Sequence, residues 1–454
     1  MKEHNLTEGN ILKTLLFFAV PFLISNILQS LYGAADLFII GKYCSPESVA
    51  AVSTGTQVTQ IVTSLVTGLT LGSTILIGQY TGSGEYETVK KVIGTTLSIF
   101  GVVSVVLTAV LLGIEKPLLI LLDTPKESFD LTMQYVAVCL LGNIFICGYN
   151  VVSAILRGYG DSVRPMIFVG IACAVNIILD VLFVRNFGMD AAGTALATVI
   201  SQAVSMLFAV VYLKRKKFIF DFKWKSFRPV PSLAKKLAVI GLPISFQELM
   251  VRISFLYLMA VMNRCGVYAA SVVGISSKYD VFAMLSATSM ASALSAVTAQ
   301  NFGAKKTERA RKSLWYGMAF AVFVSCLFWM WAQLSPQSMI RAFSGNENVI
   351  AAGTAFFRSC SYDYIMVAIV FCLNGYLNGK QKTVWTMVSC SAGALLLRIP
   401  LVWYFGRHYA DHLGMLGMIA PLVSGIMACY TLLYVLHEEY GKKKAGKEKG
   451  ANGL

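Results

Sequence analysis

Apolar residues run along this chain in long blocks, separated by short polar segments that hold most of its charge. Each block is near the roughly 20 residues that one helix needs to cross a bilayer. Twelve blocks are readable, near residues 12–40, 48–79, 92–114, 131–156, 164–185, 191–213, 235–262, 269–299, 312–334, 350–377, 384–405 and 415–436. The first is too long for the core of a signal peptide and has no small-residue cleavage site after it. The expected fold is therefore all-α: a polytopic membrane protein of twelve transmembrane helices. An even number of crossings places both termini on one side.

The pattern also repeats. Pro21 corresponds to Pro243 at an offset of 222, and Gln79 to Gln300 and Gly82 to Gly303 at 221. The same 221 relates Cys44 to Cys265, Gly158 to Gly379 and Met166 to Met387. Six helices per copy is even, so the copies point the same way, as two pseudo-symmetric six-helix bundles in parallel repeat. The expected domains are an N-terminal lobe over 1–213, a basic linker over 214–234, a C-terminal lobe over 235–437 and a basic tail over 438–454. Secondary transporters are built this way because a site between two lobes can open to either side.

Composition narrows the class. Of 454 residues, 56% are hydrophobic and 13% charged, with a mean hydropathy of +0.66. Soluble domains carry roughly 25% charged residues, so a soluble multidomain enzyme is excluded. The net charge of +15 does not indicate nucleic acid, because of where it lies. Segments on the side of the termini hold 27 Lys and Arg, nine of them between Lys214 and Lys236, against seven on the other side. The positive-inside rule then puts both termini in the cytoplasm and the protein in the cell membrane. Within the linker, Phe218, Phe220, Phe222, Trp224 and Phe227 alternate with the basic residues. That composition suits a segment lying against anionic lipid headgroups. The ten cysteines form no CxxC pair and fall mostly inside apolar blocks, so neither disulfides nor zinc are expected.

Ionisable groups within a spanning helix are costly and so are functional candidates. The bases so placed are Arg252, Lys278, Arg358 and Arg398, all in the second half. The acids are Asp36 and Asp180 in the first half, with Glu248, Asp280 and Asp363 in the second. The second half can pair its own charges: Glu248 with Arg252 four residues on, Lys278 with Asp280, and Asp363 with Arg358 or Arg398. It reads as an ionic network or as a possible polar site of Glu248, Arg252, Asp363 and Arg358. In the first half, Asp36 and Asp180 have no base within the expected helices. Each must be protonated, hold a metal cation or face water.

Both sit five residues inside the outer end of their expected helices, about 7–8 Å deep. Asn176 lies one turn below Asp180 on the same face, and Thr198 reaches a similar level. These oxygen donors suit Na⁺ at Asp36 and Asp180; two close carboxylates would equally hold a proton. Asn143 and Asn150 are further candidate ligands. Pro21, 15 residues before Asp36, is a site for helix 1 to bend. No phosphate loop, HExxH or GxSxG occurs, and the histidines lie outside the expected spans, so no cofactor and no enzymatic activity are expected.

On these features the chain resembles the multidrug and toxic compound extrusion (MATE) family, nearly end to end from Leu12 to Tyr434. The stretches that carry the resemblance are PFLISNILQSLYGAADLFIIG (21–41), LRGYGDSVRPM (156–166) and NIILDVLFV…GMDAAGTALAT (176–198). It implies a V-shaped pair of six-helix bundles exporting amphipathic, often cationic, compounds in exchange for Na⁺ or H⁺. It also implies a first-lobe cation site at Asp36, Asn176 and Asp180 with Thr198 beside them, and a second-lobe site at Glu248 and Asp363. Ser153 departs from the pattern, standing where many relatives carry an asparagine. The expected protein is a monomeric multidrug antiporter working by alternating access, with small organic substrates and membrane lipids as its partners. A lipid-linked oligosaccharide flippase of related fold is the alternative.

Overall fold

The structure is a computed structural model that describes residues 5–451, save 123, 217, 410 and 411. Met1–His4 and the last three residues of the expected tail lie outside the described residues. Among those described there is no strand. Without water to satisfy it, a backbone in hydrocarbon must close its own hydrogen bonds, and a helix does so within one segment. Even Val- and Ile-rich blocks therefore become helices here, although these residues are mediocre helix formers.

In the first half the helices are α1 Ile11–Tyr43, α2 Pro46–Gly82, α3 Tyr86–Leu121, α4 Phe129–Leu141, α5 Asn143–Gly158, α6 Val163–Asp180 and α7 Asp190–Arg215. The second half has α8 Pro231–Arg264, α9 Val267–Gly303, α10 Thr307–Leu334, the short α11 Pro336–Arg341, α12 Glu347–Cys360, α13 Tyr362–Gly379, α14 Thr383–Ala392, α15 Ile399–His408 and α16 Leu413–Ala451. Eleven of the resulting spans pass as single crossings by length and apolarity, and α4 with α5 makes a twelfth, bent by 48°. Two spans contain a π-helical turn, at Val181–Asn186 after α6 and at Gly393–Arg398 between α14 and α15.

Helix ends follow local chemistry. The Asn10 side chain accepts from the Lys13 amide at 3.1 Å to start α1, the N-cap arrangement that satisfies a free amide. Proline at its first helical position starts α2. Several helices outrun the expected boundaries, which changes one count. Helix α3 continues through Pro117 to Leu121, so Glu115 is a third buried acid within the helices of the first half.

Packing divides the chain into two compact units, Met1–Leu249 with Ala296–Arg309, and Met250–Ser295 with Ala310–Leu454. The first has an apolar core built on α2, α3, α5, α6 and α7. Phe218 and Phe220 of the linker are buried in that core, so these two aromatics pack inward while Lys223, Lys225 and Arg228 are exposed. The core of the second unit brings together α9, α12 and α16.

The sequence repeat is visible as repeated contacts. Thr74 donates to the Ala154 carbonyl at 3.0 Å, and Ser295, 221 residues later, donates to the Gly375 carbonyl at 3.1 Å. Gly84 and Lys305 both adopt positive φ, 76° and 59°, as do Gly160 and Gln381 at 97° and 61°. Within the first unit, a methyl added to Gly82 would lie 1.9 Å from the Gln300 carbonyl oxygen, and one on Gly303 would lie 2.0 Å from that of Gln79. The paired Gln and Gly positions thus form one reciprocal close crossing of α2 and α9.

Candidate functional site

The first-half candidates converge. Asp36 is on α1, Asn176 and Asp180 are on α6, and Thr198 is on α7. Helix α6 packs along both α1 and α7. The Asp36 carboxyl has Asp180, Asn176 and Thr198 as its neighbours, and Asn176 Nδ2 donates to Thr198 Oγ1 at 3.4 Å. Asp36, Asn176 and Asp180 are all buried. Asp180 ends α6 just before the π-helical turn. Such turns insert one residue, re-aim the side chains that follow and recur at functional sites.

The electrostatic feature of the site is a surplus of acceptors. Asp36 Oδ1, Asn176 Oδ1 and both oxygens of Asp180 have no hydrogen-bond partner. Among the described residues no lysine, arginine or histidine forms an ion pair with either carboxylate. Buried carboxylate oxygens without donors are strongly disfavoured unless a proton or a cation joins them. The residues present therefore fit a small cation or a proton. Among the described residues no group of three His, Cys, Asp or Glu could hold a metal ion.

Around this centre are residues that sequence reasoning missed. Tyr32, one turn before Asp36 on α1, lies within electrostatic reach of it, and so do Tyr135, Cys139 and Cys173. The i, i+4 spacing from Asp36 was the available signal for Tyr32; nothing local marks Tyr135. The Tyr135 hydroxyl is 3.3 Å from that of Thr56. Asn143 and Asn150 are engaged elsewhere: Asn143 Nδ2 donates to the Ser104 carbonyl and Thr108 hydroxyl, and Asn150 Nδ2 to the Ile146 carbonyl. Ser153 is buried with its hydroxyl unpartnered. Glu115 lies apart from this group, next to the Ala137 backbone.

Pro21 is buried within α1. Its ring leaves the carbonyl four residues earlier without a donor. Ser25 bonds the Pro21 carbonyl at 2.8 Å, a back-bond that favours bending. The Arg157 guanidinium stacks on the adjacent Phe22 ring at 4.4 Å.

In the second half the expected grouping changes. Arg252, Lys278 and Arg358 are exposed, and Arg358 is not the partner of Asp363. Asp363 instead faces Arg398 and Ser424, without an ion pair closer than 4.0 Å among the described residues. Asp280 lies within reach of Asp363, and Ser276 donates to it at 3.5 Å. Arg398, at the end of the second π-helical turn, donates to Ser254 at 3.1 Å and covers the Phe255 ring at 4.4 Å. Glu248 sits half-buried on α8. The reason is geometric: position along a helix does not fix which face is buried, and Lys278 and Arg358 fall on exposed faces.

Comparison with known proteins agrees with this architecture. The MatE family model matches residues 21–182 and again 243–404. The probable multidrug resistance protein YpnP of Bacillus subtilis is 25% identical over 98% of this chain and 99% of its own. The probable multidrug resistance protein NorM of Thermotoga maritima is 24% identical over 95% and 93%. Among solved structures, that of MATE in complex with MaL6 superposes with a TM-score of 0.91 at 22% identity, covering 98% of this chain and 100% of that one.

Proposed function

The chain belongs to the MatE family of multidrug efflux transporters, and from that premise we propose that it is a secondary antiporter exporting amphipathic organic cations in exchange for H⁺ or Na⁺ bound at Asp36 and Asp180. The observation that carries this reading is the cluster of buried acceptor oxygens on Asp36, Asn176 and Asp180, whose carboxylates form no ion pair among the described residues. The coupling ion is cargo here. When it enters, the two carboxylates lose their mutual repulsion, and α1 can settle around Pro21 into a different bend. When it leaves, the lobe is again charged and must face water. That difference in cost between loaded and empty states is what lets an ion gradient bias an alternating-access cycle. One elementary charge moving through 100 mV supplies about 2.3 kcal/mol, enough for roughly 50-fold accumulation.

The charge distribution supports placing both termini in the cytoplasm and the protein in the cell membrane. The flippase alternative draws no support from Arg398, the one buried arginine of the second half among the described residues, since it faces Asp363 and is not free for an anionic cargo.

Efflux of a cationic dye from proteoliposomes, driven in turn by a pH step and by a Na⁺ gradient, tests the proposal. Acceleration by one of the two in the wild-type protein is the expected result. Indifference to both would remove the antiport reading while leaving the family assignment intact.

A further inference from the structure

A groove of about 460 Å³ lies between α3 and the linker. Leu97, Ser98, Gly101 and Val102 form its helix wall, and Lys225 and Arg228 stand on its linker wall. We propose that this groove is a binding site for one anionic phospholipid, with its phosphate at Lys225 and Arg228 and an acyl chain along Leu97, Gly101 and Val102. The proposal depends on the chain spanning a membrane and not on which solute or ion it carries.

The linker wall is fixed in place. Gly94 lets it approach: a methyl there would lie 2.0 Å from the Ser226 carbonyl oxygen. The Ser98 hydroxyl donates to the Phe227 carbonyl, and the Val230 amide donates to Thr95 Oγ1 at 3.1 Å. Phe220 packs edge-on against Phe222 and Phe227, with ring centroids 5.1 and 5.5 Å away. The groove is therefore preformed, and a ligand entering it does not have to order a loose segment.

Position identifies the medium. Only 11% of the apolar window of α3 is buried, and Val102 and Val105 are 65% and 59% exposed. That face meets lipid, so a hollow in it is filled by hydrocarbon. Lys90 and Lys91 mark where α3 leaves the apolar layer, and Ser98 is seven residues further in, about 10 Å along the helix. A headgroup at the linker and a chain running along α3 fit that spacing.

Charge identifies the headgroup. Asp221 is the one acid between Phe218 and Val230, and it is already engaged. The Ser226 hydroxyl donates to it at 2.6 Å and Lys223 lies 3.9 Å away. The Ser226 bond holds the Asp221 carboxyl below the usual carboxylate range, so it stays ionised and committed. Lys225 and Arg228 form no ion pair among the described residues. Two unpaired cations over an apolar trough match a phosphate ester on a diacyl tail, and a zwitterionic lipid would gain less from them.

Native mass spectrometry of the intact protein, titrated with phosphatidylglycerol and with phosphatidylcholine of the same chains, tests the site. One phosphatidylglycerol should be retained in preference to phosphatidylcholine. The double variant Lys225→Ala/Arg228→Ala should weaken that binding about thirtyfold, at roughly one surface charge's attraction each, and leave phosphatidylcholine unchanged. Gly101→Leu, whose added Cβ meets nothing within 4 Å, should fill the trough and abolish the preference with both cations in place. Equal retention of the two lipids, an unaffected double variant, or a Gly101→Leu protein that still prefers phosphatidylglycerol would each overturn the proposal. None of these readouts involves transport, so their failure is distinct from failure of the antiport reading.

Discussion

At the scale of single residues, the proposed role of the first-half site rests on buried acceptor oxygens that a bound cation or proton would neutralise. A buried carboxylate without a donor costs several kcal/mol, and here two share one pocket. Replacing Asp36 by Asn should abolish ion-coupled dye efflux, at least tenfold below wild type in proteoliposomes. The same variant should melt no lower than wild type in a thermal-shift assay, because an amide needs no counter-ion. Wild-type efflux from Asp36→Asn would remove this residue from the coupling machinery. Thr198 tests the oxygen donors more gently. Its hydroxyl accepts from Asn176 at 3.4 Å, so Thr198→Val keeps the shape and removes one acceptor. The cation concentration giving half-maximal efflux should rise several-fold in Thr198→Val and stay near wild type in Thr198→Ser. These four residues were legible in the sequence because depth along a membrane helix is simple arithmetic. Tyr32 and Tyr135 were not, since a tyrosine in an apolar block looks like packing. Of the two partners expected for Asp363, Arg398 faces it and Arg358 is exposed, because a charge's position in sequence does not show which way its helix face turns.

At the scale of elements, hydropathy gave all twelve spans because the bilayer leaves the backbone no other choice. It could not give breaks that preserve apolarity. The 48° bend between α4 and α5 falls in a continuous apolar block, at Gly142, where the chain passes so close to Val199 that an added methyl would lie 2.2 Å from it. Helix α3 was read short because Glu115 and Lys116 resemble a loop, yet the helix carries them onward to Leu121. In the proposed cycle, α1 is the element whose shape bears on function. Pro21 deprives it of one backbone bond, a defect worth about 3 kcal/mol in an ordinary helix interior, and Ser25 draws on the Pro21 carbonyl. Pro21→Ala should therefore raise the melting temperature while slowing dye efflux, because the straighter helix is favoured in every state of the cycle. A variant that melts higher and transports at the wild-type rate would show the bend to be static.

At the scale of the whole molecule, the two units do not follow the two repeats. The first unit takes in Ala296–Arg309 from the second half, and the N-terminal segment helps to hold that piece. The Leu6 amide donates to Gln300 Oε1 at 3.3 Å, and Asn301 Nδ2 returns a bond to the Leu6 carbonyl at 3.2 Å. Lys306 Nζ reaches the Thr7 carbonyl at 3.0 Å, and Arg309 Nη1 the Gly9 carbonyl at 2.7 Å. Leu6 is 2% exposed, so this strap is packed as well as hydrogen-bonded. It spans almost 300 residues of sequence, a closure whose entropy a frayed terminus would not repay without such burial. Truncating a buried leucine costs about 2–5 kcal/mol where the site cannot collapse, and a strap against a polar helix end has little with which to fill the gap. Leu6→Ala should therefore speed hydrogen–deuterium exchange across residues 296–309 and lower the melting temperature. Leu12→Ala, which truncates a 39% exposed side chain six residues further on, should do neither. Unchanged exchange in Leu6→Ala would mean that the glycine crossing at Gly82 and Gly303 alone holds this end of the second repeat against the first.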